Sequence, residues 1–98
     1  MEFKDLKFEE RSQGGWGSTT VIGNHVLSVQ CGLFPYSSPR ECLSSPKKYE
    51  SFEIGIWKND SSKEWVTKQF TETADPMVAG WVKIEEISNI ITKLLNDE

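Results

Sequence analysis

Hydrophobic and polar residues alternate through the middle of the chain, most regularly from residue 52 to residue 56. A period of two is typical of a half-buried strand, because successive side chains point to opposite faces of a sheet. A second strand is predicted over residues 64–70, and the turn-forming residues 59–63 separate the two strands. A hairpin with this loop makes the following cross-strand pairs: Lys58 with Glu64, Trp57 with Trp65, Ile56 with Val66 and Phe52 with Phe70.

A second hairpin is predicted upstream, from strands at residues 18–22 and 25–31 that flank a Gly-Asn dipeptide at 23–24. A two-residue loop with glycine first suits a type II′ turn, whose twist matches that of the strands. His25 lies beside this turn, and we interpret it as a surface residue. One face of the hairpin carries Val21 and Val26, and the other carries Thr20, Ile22, Leu27, Val29 and Cys31.

The C-terminal residues 83–96 have apolar side chains at helical spacing, which predicts an amphipathic helix. Together the elements predict an α+β fold in one domain of residues 1–98. The fold is an antiparallel sheet of four strands built from two hairpins, with one C-terminal α-helix on one face. The N-terminal residues 1–10 are interpreted either as an edge strand, which would make five strands, or as a short helix.

One helix is too narrow to cover the apolar face of this sheet. Four strands span about 19 Å and a helix is about 10 Å across, so the helix covers roughly half of that face. The N-terminal segment, the long loop over residues 32–48 or a second copy of the protein must cover the rest. The opposite face is expected to carry Tyr49, Trp57 and Trp65, and we interpret these residues as binding a protein partner or a second subunit. The alternative is that the N-terminal segment packs over them.

The long loop over residues 32–48 is rich in serine and proline and exceeds the usual length of connections in compact domains. Phe34 and Tyr36 supply aromatic contact groups, and Arg40 supplies positive charge. We therefore predict that these three residues also take part in partner binding. A mobile connector between two hairpins is an equally acceptable interpretation.

The formal net charge of −4 argues against a nucleic-acid partner, because such binding depends on neutralising phosphates with Lys and Arg. The first residues are charged and no apolar signal segment follows, nor is there a run of about 20 apolar residues that could span a bilayer. We expect a cytoplasmic protein without a membrane partner. Cys31 and Cys42 are then expected to be reduced thiols, and their spacing is not that of a zinc site.

Candidate acid–base groups are present but do not form a recognisable catalytic pattern. His25, Glu53, Asp60 and Asp75 have no motif spacing, and no triad or metal-binding constellation accompanies them. The glycine-rich residues 14–17 lack the Lys-Ser/Thr ending of a phosphate-binding loop. The sequence therefore predicts no catalytic residue, no metal and no cofactor, and an enzyme is kept only as a less favoured alternative.

Several segments in order resemble a group of small proteins encoded by tailed bacteriophages and prophages: GGWGSTTVIGN with HVLSVQCG, YESFEIGIWK, EWVTKQF and DPMVAGWVKIEEISNII. The match covers residues 14–95 apart from the long loop. The resemblance implies an accessory phage protein that acts in the bacterial host cytoplasm, and it carries over no catalytic residue. Lys83 and Ile84 stand where that group has a Thr-Pro-Glu type helix start, so the helix cap is expected to be poor.

Two classes of binding function remain open besides the enzyme. The first is a non-catalytic protein that binds a host or defence protein, for example an inhibitor of a bacterial immune system. The second is a sponge that traps a small nucleotide between protomers, with the glycine-rich residues 14–17, Arg40, Lys47 and the aromatic residues as its contacts.

Overall fold

The computed structural model describes residues 1–97, which form a five-stranded antiparallel sheet and one C-terminal helix. The predicted α+β fold is therefore confirmed, with the additional edge strand supplied by the N-terminal segment. The strands lie side by side in chain order. Their bounds are Glu9–Glu10 (β1), Trp16–Ile22 (β2), His25–Cys31 (β3), Ser51–Lys58 (β4) and Val78–Lys83 (β5), and the helix α1 is Ile84–Asn96.

The β2–β3 hairpin has the predicted register. Ile22 pairs with His25 across the turn, and Gly23 has a φ of +60°. A positive φ at the first loop residue is what a type II′ turn requires, and only glycine adopts it without strain. The pairs Thr20 with Leu27 and Val21 with Val26 show that the apolar side chains face the sides of the sheet that the alternation predicts.

The predicted hairpin between β4 and residues 64–70 is correct only next to its loop. The Lys58 amide donates to the Glu64 carbonyl at 2.9 Å, Trp57 pairs with Trp65, and the Val66 amide donates to the Ile56 carbonyl at 2.8 Å.

Beyond residue 66 the predicted strand is wrong, because a short 3-10 helix spans Thr67–Gln69. The Thr67 hydroxyl accepts a hydrogen bond from the Ile56 amide at 2.9 Å and donates one to the Met77 carbonyl at 2.7 Å. These bonds end the pairing with β4 and hold residue 77 nearby. Phe52 pairs with Val82 of β5 instead of with Phe70.

Strand β5 was not predicted, because a bulge interrupts its alternation. The register with β4 shifts between Phe52 and Ile54, so that Ala79 and Val82 are both buried although they are three residues apart. A bulge places an extra residue in one strand and so breaks the period of two.

The helix packs on one face of the sheet, as predicted, and forms the core with it. Its buried residues are Ile87, Ile90, Ile91 and Leu94, and they join a cluster that includes Leu27, Val29, Ile54 and Ile56 of the central strands. Helix α1 begins at Ile84, and its N-cap residue Lys83 makes no side-chain capping bond. The expected poor cap is therefore present, and packing of the apolar face must stabilise the helix.

The chain itself covers the part of the apolar face that the helix leaves open. The rings of Phe3 and Phe8 lie 5.0 Å and 5.9 Å from the ring of Phe52, measured between centroids, and Leu6 is buried. Leu43 of the long loop packs against the same core. A second copy of the protein is thus not required on this face.

Tyr49 lies in this core, so its predicted place on the opposite face is wrong. It is 2% exposed, and its ring packs against Phe52. Its hydroxyl donates to the Glu41 carbonyl and accepts from the Leu43 amide at 2.9 Å. Tyr49 precedes β4, where the alternation of that strand no longer determines which way a side chain points.

His25 is buried, which corrects its interpretation as a surface residue. It is 6% exposed, and its ring meets the edge of Phe70 at a centroid distance of 5.1 Å. Its Nε2 lies 3.6 Å from a carboxylate oxygen of Asp97, just beyond the end of α1. The helix C-terminus lies over the β2–β3 turn, and this long-range contact is what removes His25 from solvent.

Candidate protein-binding surface

The sheet face opposite α1 carries no helix, and we call it the outer face. The strand register places Val21, Val26 and Trp57 in one row across it, with Trp65 bridged to Trp57 at the end of that row. Val21 is 61% exposed and Trp65 is 37% exposed. Large apolar side chains on a face without a covering layer are typical of an interaction site.

Trp57 and Trp65 form the first aromatic group, which we call the indole pair. Their ring centroids are 5.1 Å apart at an interplanar angle of 64°, an edge-to-face arrangement. The ring of Trp65 lies over Gly55, where a Cβ atom would come within 2.8 Å of it. Gly55 is therefore required for the indole to lie on the sheet. A cleft of about 330 Å³ beside the pair is lined by both indoles and by Lys63.

The loop before Trp65 is held in place by Asp60. Its carboxylate accepts hydrogen bonds from the Ser62 hydroxyl and amide and from the Lys63 amide, and these bonds lower the pKa of Asp60. Lys63 has a φ of +48°, in the left-handed region. Lys58 and Glu64 close the loop with an ion pair at 3.1 Å. The indole pair is therefore presented by an ordered turn.

Tyr36 and Trp81 form the second aromatic group, which we call the stacked pair. Their ring centroids are 5.2 Å apart at 29°, and the Arg40 guanidinium carbon lies 5.2 Å from the centre of the Tyr36 ring. The long loop reaches the outer face here: the Tyr36 amide donates to Glu53 Oε1 at 3.2 Å, and the Trp81 amide donates to the Tyr36 carbonyl at 2.8 Å. Tyr36 lies over Gly80, where a Cβ atom would come within 2.7 Å of the Tyr36 Cβ.

Trp81 has a backbone conformation that is unfavourable for its residue type. Its φ is +51°, and left-handed backbone costs a residue with a Cβ atom about 1–2 kcal/mol. It lies at the bulge in β5, and a bulge can redirect a side chain to the surface. The side chain is 56% exposed. The strain thus accompanies presentation of an indole to solvent, a combination often found at functional sites.

The two aromatic groups are neighbours on the outer face. Gly55, beneath Trp65, pairs with Val78, and Gly80, beneath Tyr36, follows two residues later on β5. Two residues along a strand correspond to about 7 Å. The indole pair and the stacked pair therefore lie side by side on this face, and we call them together the aromatic surface.

Four of the six predicted partner-binding residues belong to these aromatic groups or contact them: Trp57 and Trp65 form the indole pair, Tyr36 is in the stacked pair, and Arg40 lies over the Tyr36 ring. Phe34 is 63% exposed in the long loop, and its carbonyl accepts a hydrogen bond from Arg40 at 3.0 Å.

Tyr49 lies elsewhere, in the core, and Trp81 was not predicted from the sequence as a partner-binding residue. The available signal for Trp81 was the preceding Gly80, because a glycine within a strand often marks a bulge or a close approach of the chain.

The candidate acid–base residues serve structural roles at separate places. Glu53 accepts from the Tyr36 amide, and Asp75 accepts from the Met77 and Val78 amides, which lowers the pKa of Asp75. His25 is enclosed near the helix C-terminus, and Asp60 orders its own loop. Among residues 1–97, no three His, Cys, Asp or Glu side chains converge in a way that could hold a metal ion.

Both cysteines are free thiols, in contrasting surroundings. Cys31 is buried at the end of β3, and this burial raises the pKa of its thiol to about 12. Cys42 is exposed in the long loop. A thiol with so high a pKa is almost entirely protonated at neutral pH and is a poor nucleophile.

No known protein family, curated protein or solved structure matches this chain. The resemblance to small phage proteins therefore stays a prediction. In the part of the chain that the structure describes, no helix is long and apolar enough to cross a bilayer.

Proposed function

We propose that this protein is a non-catalytic binding protein that engages another protein through the outer face. The observation that carries the proposal is the aromatic surface made by the indole pair and the neighbouring stacked pair. These side chains remain accessible although the core is already closed by the helix, the N-terminal segment and the long loop. The strained backbone of Trp81 adds to the case, because it accompanies a side chain that is 56% exposed.

The residue types on this surface suit a protein interface. Trp, Tyr and Arg are the residues most often found to dominate binding energy, and here they are already ordered in pairs. Ordered side chains lose less conformational entropy when a partner binds. Arg40 and Lys63 border the aromatic groups. The partner is therefore expected to offer apolar or aromatic groups with carboxylates at the edge.

The resemblance to phage proteins extends this proposal to a biological setting. We propose an accessory protein of a phage or prophage that acts in the host cytoplasm on a host or defence protein. Inhibition of a bacterial immune system is one instance of such a function. Support comes from the order and spacing of the quoted segments and from the exposed aromatic surface.

The nucleotide sponge is less favoured by the geometry. Arg40 lies against Tyr36 on the outer face, whereas Lys47 lines a cavity beside the N-terminal segment. The two cations that were expected to contact one nucleotide thus line different surfaces. The partner on the outer face could instead be a second copy of the chain. A measurement of molecular mass in solution distinguishes this homodimer from a complex with another protein.

The proposal is tested by affinity capture from lysates of bacteria that carry defence systems, followed by affinity measurement with the purified partner. The wild-type protein should capture a specific protein. Trp65→Ala and Trp81→Ala should each raise the dissociation constant about 30-fold or more, the effect of losing a residue that dominates an interface. Leu95→Ala is the matched control, since it removes an exposed apolar side chain of α1 and should leave affinity unchanged.

Light scattering on the same samples decides whether the partner is a second copy. A dimer that the Trp65 or Trp81 variant converts to a monomer would make the outer face a homodimer interface. A monomer that captures no specific protein from any such lysate would contradict the proposal. Equal affinities of the wild type and both tryptophan variants would contradict it as well.

A further inference from the structure

A second, chemically different site lies between the N-terminal segment and the end of the long loop. It is a cavity of about 440 Å³, within the usual range of small-molecule sites. Its apolar lining consists of Phe3, Leu6, Phe8, Trp16, Pro46 and Ile84. Lys4 and Lys47 are the remaining lining residues. We propose that this cavity binds a small amphipathic anion, with an apolar body in the cavity and one acidic head group at the two lysines.

The apolar wall of the cavity is already assembled. The Phe3 and Phe8 rings are 5.7 Å apart between centroids, and both pack against the buried Phe52. The indole N–H of Trp16 donates to the Leu43 carbonyl at 3.0 Å. This bond holds the ring in place and uses its only polar group. The apolar wall can therefore make apolar and aromatic contacts with a ligand, but none of its side chains has a free hydrogen-bond donor.

The charged part of the lining has a single sign. Lys4 and Lys47 are the charged residues of the lining, and no acidic residue lines the cavity, although the protein as a whole carries a net charge of −4. Within residues 1–97, Lys47 makes no ion pair. Lys4 lies 3.5 Å from Glu2, but both side chains are exposed, so that pair competes only weakly with a ligand. A ligand with an acidic group is therefore favoured over a neutral one of the same shape.

Fatty acids, aromatic carboxylates and apolar phosphate esters share this chemistry. The inference does not depend on the proposed protein-binding function, because the cavity lies on the helix side of the sheet and shares no lining residue with the outer face. A protein that loses partner binding through Trp65→Ala and Trp81→Ala should still bind the anion.

The test uses two fluorescent probes of the same shape and different charge. 8-Anilinonaphthalene-1-sulfonate is anionic, and N-phenyl-1-naphthylamine is its neutral counterpart. The two lysines should strengthen binding of the anionic probe to the folded protein about tenfold, because each exposed lysine contributes about two- to fivefold. Lys4→Gln combined with Lys47→Gln should remove this gain for the anionic probe and leave the affinity for the neutral probe unchanged. Lys93→Gln, on the exposed face of α1, is the control and should change neither affinity.

Competition then distinguishes the natural sources of the ligand. Dodecanoate displaces the probe if an aliphatic chain fits, and naphthalene-2-carboxylate displaces it if the cavity prefers aromatic acids. Either result supports the inference, and displacement by dodecanol as strong as that by dodecanoate would overturn it.

An unchanged affinity of the lysine double variant for the anionic probe would also overturn the inference. Since apolar probes can bind elsewhere, the Trp65→Ala and Trp81→Ala variants are measured in parallel. Loss of probe binding in those variants would place the probe on the outer face and refute the cavity as its site. The lysine substitutions are at exposed positions, so folding should be retained and each outcome remains interpretable.

Discussion

Thr67 joins three parts of the molecule through one buried hydroxyl. The residue is fully buried, and its Oγ1 accepts from the Ile56 amide of β4 at 2.9 Å and donates to the Met77 carbonyl, just before β5, at 2.7 Å. The same residue begins the short 3-10 helix that follows Trp65. Thr67→Val keeps the size and branching of the side chain but removes both hydrogen bonds.

The expected loss of stability depends on whether each group that was bonded to the Thr67 hydroxyl can form another hydrogen bond after the substitution. Ile56 is fully buried, so its unpaired amide costs about 1–3 kcal/mol. Met77 is 46% exposed, so water can replace the bond to its carbonyl at a cost of about 0–1 kcal/mol. The total is roughly 1–4 kcal/mol, a large part of the stability of a domain of this size.

Urea unfolding followed by circular dichroism measures this loss, with Thr67→Ser as the matched control. Serine keeps the hydroxyl and removes one methyl group, which costs about 1 kcal/mol. Thr67→Val should therefore be the less stable variant, with an unchanged slope of the urea dependence. The reasoning is refuted if Thr67→Val is as stable as Thr67→Ser.

Three further predictions concern the outer face and the cysteines. Trp81→Gly should be more stable than Trp81→Ala by about 1–2 kcal/mol, since both lose the indole and only glycine relieves the left-handed strain; equal urea midpoints would contradict this. Gly55→Ala should displace Trp65, because the new Cβ would lie 2.8 Å from its ring, and unchanged near-ultraviolet circular dichroism would argue against it. At pH 8 an aromatic disulfide reagent should label Cys42 rapidly and Cys31 only after unfolding, and rapid labelling of both would be the contrary result.

The raised pKa of Cys31 also predicts the direction of a pH effect. The unfolded thiol ionises near its ordinary value of 9.0 and the folded one near 12. The folded state therefore holds its proton more tightly, and the free energy of unfolding falls as the pH rises from about 9 towards 12. Cys31→Val should remove this contribution, which urea titrations of both proteins across that pH range would measure.

The elements with local signals could be predicted from the order of residues alone. The helix follows from apolar residues at helical spacing, and the β2–β3 hairpin follows from Gly23 between two alternating strands. The pairing of Trp57 with Trp65 was also predictable, because the length of the loop between them sets the register. Periodicity and turn chemistry act within a few residues, so they can be detected without knowledge of the fold.

The remaining surfaces depend on contacts between parts of the chain that are distant in sequence. The Thr67 hydroxyl ends the predicted strand, the bulge at β5 exposes Trp81, and the helix C-terminus buries His25. The cavity beside Trp16 exists because the N-terminal segment packs against core residues that are distant from it in the sequence. Such features depend on contacts between residues far apart in the sequence and on the exact shape of the space left between elements. The local pattern of apolar and polar positions contains no information about either of these.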